Sequence, residues 1–147
     1  MRPFSPLGLA LSFFASVKAM TPAINAPAAG THIAPGQTFD FSYQSIGDYC
    51  ASAYDMTVYL FTSLPQDMMA SETFATGHYF GRYSYPAPAT LTMPDFSISP
   101  GGFGVGASVS NATFYLAVFE EYATCASAPG DRLSFIYNPV IYNATSD

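Results

Sequence analysis

Few side chains in this sequence combine the type and the spacing that chemistry requires. Glu120 and Glu121, in LAVFEEYATC, are its only adjacent acids. A glycosidase needs two carboxylates flanking one sugar bond, about 5–9 Å apart. Neighbours on a strand point to opposite faces of the sheet, so these two do not form that pair. Glu121 with a distant acid remains open; an acid near a strand end is otherwise expected to meet solvent. His32 and His78 are the only histidines, and a zinc centre would have to recruit both plus carboxylates, without close ligand spacing. GHYFGRYSY sets His78 near Arg82 among tyrosines. That pattern suits either a small anion or a strand whose glycines permit close packing.

Two further patterns imitate known chemistry without completing it. PGGFGVGAS, residues 100–108, has the glycine content of a phosphate loop but lacks its lysine and its spacing. It leads into NATFYLAVFEEY, which is rich in β-formers. No G-x-S-x-G nucleophile elbow occurs. These residues predict no catalytic group, metal or cofactor.

Cys50 and Cys125 are the only cysteines. A reactive thiolate needs a basic neighbour, and the residues beside both are acidic, small or Tyr. A disulfide is expected instead. It would close a loop of about 75 residues, a constraint of roughly 4 kcal/mol on the unfolded chain.

The compartment for that pairing comes from the start of the chain. Arg2 gives a small basic region, Leu7 to Ala15 an apolar run, and Val17-Lys18-Ala19 the small residues that a signal peptidase reads. The uncharged run from Pro3 to Val17 is short of the roughly 20 residues needed to cross a bilayer. Residues 1–19 are therefore predicted to be a removed signal peptide, and 20–147 a single secreted, extracellular domain in which oxidising conditions favour the disulfide. Cleavage after Ala19 takes away Arg2 and Lys18, two of the four basic residues, and none of the ten acids, leaving −8. With no lysine left, nucleic acid and anionic lipid are poor partners. The terminal NPVIYNATSD has no hydrophobic tail of the kind a lipid anchor needs. Asn111 and Asn143 begin N-x-[ST] sequons, which are available glycosylation acceptors in a secreted chain.

The elements that must position these residues are strands. Alternating apolar and polar stretches over 31–34, 37–44, 53–62, 77–85, 89–94, 112–121 and 132–142 are separated by turn signals such as Pro35-Gly36, Gly47-Asp48 and Pro129-Gly130-Asp131. Seven short strands of this spacing predict an all-β fold, an antiparallel immunoglobulin-like β-sandwich. SLPQDMMAS, with Ser63 and Gln66 at capping-box spacing, predicts one short helical turn. Strands 37–44 and 112–121, if parallel in space, would bring the two cysteines to one pole. Phe39, Phe41, Leu116 and Phe135 are expected to face the core.

Two strands are apolar on both sides. Met56, Val58 and Leu60 share one face of 53–62, with Tyr59 and Phe61 on the other; Phe114, Leu116 and Val118 oppose Tyr115, Ala117 and Phe119 on 112–121. A sandwich strand is ordinarily polar outside. The second face, Tyr59, Phe61, Tyr115 and Phe119, is thus either covered by a loop or exposed as a binding patch.

APGQTFDFSY, TVYLFTS, GHYFGRYSYP, LTMPDFS, GGFGVGASVSNATFYLAVFEEYATC and IYN together resemble small secreted proteins of filamentous fungi, notably basidiomycetes, and are similar to the necrosis-inducing secreted protein family. The resemblance spans nearly the whole mature chain and implies a non-enzymatic effector that acts on a host protein in immune signalling. AAGTHIAPGQTFDFSY is also similar to the N-terminal domain of fungal β-glucan-assembly proteins. That second resemblance implies a cell-wall-associated module binding polysaccharide, although the Ser/Thr-rich stalk and lipid anchor common there are missing.

Overall fold

The computed structural model describes residues 20–48, 51–65, 76–96, 111–124 and 131–142. Among these the chain is all-β. Its strands are β1 (Ala23–Ala26), β2 (Thr31–Ile33), β3 (Thr38–Asp40), β4 (Ser42–Gln44), β5 (Gly47–Asp48), β6 (Ala51–Phe61), β7 (Thr76–Ser84), β8 (Thr90–Thr92), β9 (Ala112–Thr124) and β10 (Arg132–Tyr142).

One six-stranded sheet runs β2-β10-β9-β6, with β5 and β7 both pairing β6. Two short ladders, β1–β4 and β3–β8, make up the opposing layer. β3 and β4 are one expected strand interrupted at Phe41, whose N–H still donates to Ala89 O at 2.9 Å. The strand count is therefore higher than seven: this division, the added Ala23–Ala26, and Gly47–Asp48, read from sequence as a turn but paired with β6, account for it. Every strand pair is antiparallel except β2–β10, which is parallel. The fold is thus the expected mainly antiparallel β-sandwich, with this one parallel pair among the described residues. The physical reason lies in the N-terminal chain, which pairs first in the small layer and then, a few residues on, in the large sheet. Asn138 Nδ2 donates to Ile24 O at 3.1 Å and to Pro27 O at 3.0 Å, so β10 holds that crossing in place.

The Pro35-Gly36 signal is a tight turn, as expected. Gln37 N–H donates to Ala34 O, and Gly36 adopts φ 70°, which a side chain would resist. Ser63, Leu64 and Pro65 are not helical; the rest of the predicted helical turn lies outside the described residues, as do residues 1–19, 100–108, Cys50, Cys125 and Asn143.

One core fills the space between layers. Met56, Val58 and Leu60 of β6, Phe114, Leu116 and Val118 of β9, and Val140 and Tyr142 of β10 face Phe39, Phe41, Tyr43, Leu91 and Met93. Burying each such side chain stabilises the fold by roughly 1.5–3 kcal/mol. Phe39, Phe41 and Leu116 face inward as expected. Phe135 does not: it pairs with Phe119 on the outer face and is only half-buried. Core-facing β10 residues are instead the even-numbered ones, because Val140 registers with Phe114 and Ile136 with Val118.

Candidate functional site

The outer face of the large sheet is built by register. Directly opposed residues of antiparallel strands share a face. Tyr79 pairs with Tyr59, Tyr59 with Ala117, and Ala117 with Tyr137, making one rung across β7, β6, β9 and β10. The next rung holds Arg82, Thr57, Phe119 and Phe135; the one beyond it holds Ser84, Asp55, Glu121 and Leu133. On the other side Phe61, Tyr115 and Pro139 are aligned.

These rings form one continuous layer. Tyr79–Tyr59 centroids lie 5.1 Å apart, Tyr59–Phe119 6.0 Å, Phe119–Phe135 4.8 Å, Phe135–Tyr137 6.0 Å and Tyr137–Tyr115 5.7 Å. They close over Ala117, which is fully buried, so the surface is a platform. Of the four positions picked out from sequence, Phe61 is buried, while Tyr59, Tyr115 and Phe119 are half-buried and ring-packed. The rings that reach solvent are Tyr79, 52% exposed, and Tyr137, 43% exposed. Sequence reading missed both, since only register places β7 and β10 beside the two apolar strands. The signal was the phase: Tyr79 and Tyr137 alternate with inward residues just as Tyr59 and Tyr115 do.

At one end of the platform stands an ion cluster. Arg82 Nη2 lies 2.9 Å from Asp55 Oδ2 and 2.7 Å from Glu121 Oε2, and Arg82 Nε donates to Asp55 Oδ2 at 3.0 Å. Ser84 Oγ donates to Asp55 Oδ1 at 2.8 Å. The hydrogen bonds from Ser84 and Arg82 hold the Asp55 carboxyl below the ordinary carboxylate range, and the two carboxylates hold the Arg82 guanidinium above its own. Glu121 thus meets a distant acid, as the sequence left open, but with a cation between them. A glycosidase acid must be held protonated by an environment that raises its pKa, whereas Asp55 is held below the ordinary range.

Glu120 occupies the opposite face, as alternation requires, but it does not meet solvent. It is fully buried. Tyr43 Oη donates to Glu120 Oε2 at 2.8 Å, Ile46 N–H donates to Oε1 at 3.1 Å, and Ser134 Oγ donates to Oε2 at 3.4 Å. Strand β9 continues past Glu120 to Thr124, so the position is interior to the sheet. The expectation of a solvated strand end fails for that reason.

His78 and Arg82 are not brought together. Arg82 is engaged by Asp55 and Glu121, whereas His78 packs at the core margin, 4.8 Å from the Phe80 ring, where burial lowers its pKa. His32 is exposed on β2. Among the described residues no three His, Cys, Asp or Glu side chains gather as metal ligands, and no helix is long and apolar enough to cross a membrane. Ala51 and Thr124, the chain neighbours of Cys50 and Cys125, are register partners of β6 and β9. Asn111 is exposed at φ 56°, and Thr113 of its sequon is exposed too.

The chain matches no protein-family model, no curated protein and no solved structure.

Proposed function

We propose that this chain is a secreted, non-enzymatic binding protein of effector-like type, which meets its partner through the outer aromatic platform. The rung Tyr79-Tyr59-Ala117-Tyr137 carries this reading, with its two flanking tyrosines open to solvent. Tyrosine offers a large rigid contact area with a polar tip, the composition favoured where binding energy concentrates. An outer sheet face with only a solubilising role would be polar.

Groups that a reaction would draw on are committed elsewhere. Glu120 is buried under hydrogen bonds to Tyr43 and Ile46, and Arg82 is shared by Asp55 and Glu121. The role in host immune signalling rests on the sequence resemblance alone. The disulfide is supported by the pairing of Ala51 with Thr124, and glycosylation by the exposure of Asn111 and Thr113. We further read the sandwich as immunoglobulin-like, because its N-terminal strand is divided between two sheets and its second part runs parallel to the last strand.

Expression of the secreted protein in a leaf, beside a Tyr79→Ser/Tyr137→Ser variant, tests this. Altered immune signalling or cell death should be lost in the variant while its melting temperature stays within a few degrees. Turnover of a glycan, ester or peptide abolished by a single Glu or His substitution would refute the reading. So would undiminished activity of the double variant.

A further inference from the structure

We infer that Tyr83 is a latch on the open edge of the large sheet: it closes the bulge at Phe80 and Gly81 and so keeps β7 from pairing with a second copy of this chain. The inference stands apart from the aromatic platform and its partner.

Topology creates the need for a latch. Among the described residues β7 pairs with β6 alone, and its nine residues make it the longest strand on the rim of its sheet. The opposite rim, β2, has three residues. An open strand as long as β7 presents its outward N–H and C=O groups as a template for another chain. Tyr79, the most open ring of the aromatic layer, lies on this same strand, so pairing there would set a second copy beside it.

The chain breaks that template at its middle. Val58 registers with Gly81 and Tyr59 with Tyr79, so Phe80 is an extra residue without a place in the ladder. Such a bulge bends an edge and interrupts its pairing. Gly81 takes φ 147°, a backbone setting that side chains resist. Tyr83, two residues on and on the same inward side, folds its ring back over this glycine: a Cβ at Gly81 would stand 2.9 Å from both Cζ and Oη of Tyr83. The hydroxyl then donates to the Phe80 carbonyl at 2.8 Å. The Phe80 ring is itself packed, 4.8 Å from His78 and 6.3 Å from Phe39 between centroids.

These contacts act together. Straightening β7 into a flat edge would bring Phe80 back into register, break the hydrogen bond and drive Tyr83 off Gly81. The stretch YFGRY encodes this locally: the glycine leaves room, the tyrosine fills it, and the carbonyl before the glycine accepts its hydrogen bond. The formal charge of −6 also opposes self-association. Repulsion between exposed charges is screened by salt, however, and a packed ring is not.

Sedimentation velocity of the purified secreted protein, at about 500 mM NaCl to screen that repulsion and over a wide concentration range, tests the latch. The unsubstituted protein should stay monomeric. Loss of one hydrogen bond shifts a local equilibrium roughly 3- to 10-fold. Both copies of a pair must open, so Tyr83→Phe should tighten self-association by the square of that factor, roughly 10- to 100-fold. Gly81→Ala, which displaces the ring as well, should tighten it further. Hydrogen exchange of the β7 amides should slow in the associated species. Val140→Ala serves as the control: it thins the core on β10, three strands away, and leaves the latch intact, so it should remain monomeric. Equal association of Val140→Ala would assign the effect to lost stability and overturn the inference. Monomeric Tyr83→Phe and Gly81→Ala would overturn it too, as would an unsubstituted protein already paired through β7.

Discussion

Tyr43 on β4 and Glu120 on β9 meet across the sandwich, phenol to carboxyl at 2.8 Å, in the interior of an otherwise apolar core. The same carboxyl takes the Ile46 N–H, so one side chain fixes both the small layer and the segment that follows it. A hydrogen bond to a charged acceptor is worth about 1.5–3 kcal/mol, and a buried acceptor left short of donors carries a penalty of similar size. Tyr43→Phe should therefore destabilise by about 1.5–3 kcal/mol. In a double-mutant cycle with Glu120→Gln the two changes should couple by more than about 0.5 kcal/mol. Strict additivity in urea denaturation would show that the contact contributes nothing.

The same pair gives stability a dependence on alkaline pH. Burial, together with the hydrogen bond to Glu120 and its charge, pushes the Tyr43 phenol well above its ordinary value near 10. The unfolded chain then releases this proton first. The contribution is complete below about pH 10 and declines as pH rises beyond it, by at most about 1.4 kcal/mol per pH unit. Tyr43→Phe should flatten the fall of melting temperature above pH 10 relative to wild type. Parallel curves would exclude Tyr43 as its source.

Phe41 and Phe135 should respond differently to truncation. Phe41 is buried between the layers, and Phe41→Ala should cost roughly 3–5 kcal/mol. Phe135 is half-buried on the platform, packed on Phe119 and Tyr137, so Phe135→Ala should cost clearly less. Chemical denaturation of the two variants measures the difference, and equal losses would contradict the register of β10.

Cys50 and Cys125 adjoin a paired position, since Ala51 registers with Thr124. Each lies one residue, at most about 3.8 Å of chain, from that pair. Secreted protein should contain no free thiol, and Cys50→Ser should lower the melting temperature or the secreted yield. Labelling of both thiols in denatured, unreduced protein would rule the bond out.

Much of the architecture was legible because strand alternation is a local property. FDFSY places Phe39, Phe41 and Tyr43 on one side whatever they pack against, and Pro35-Gly36 makes its turn from its own backbone preferences. The apolar second face of 53–62 and 112–121 was equally readable, as was the opposition of Glu120 to Glu121. What failed were particular inferences that needed a neighbour, such as the face of Phe135 and the solvated end expected for Glu120. Phe135 was assigned the wrong face, because β10 carries apolar residues on both sides and only its pairing with β9 chooses between them.

Sequence by itself determined which residues share a side of each strand, where the chain turns, and that few groups were available for chemistry. The tertiary structure alone decided which side of β10 is the core. It alone set Tyr79 and Tyr137 at the edges of a platform, placed Arg82 between Asp55 and Glu121, and put Glu120 under the hydroxyl of Tyr43. The reason is physical: side-chain alternation is set by each residue's own backbone, whereas register and burial arise between segments up to 114 positions apart in the chain.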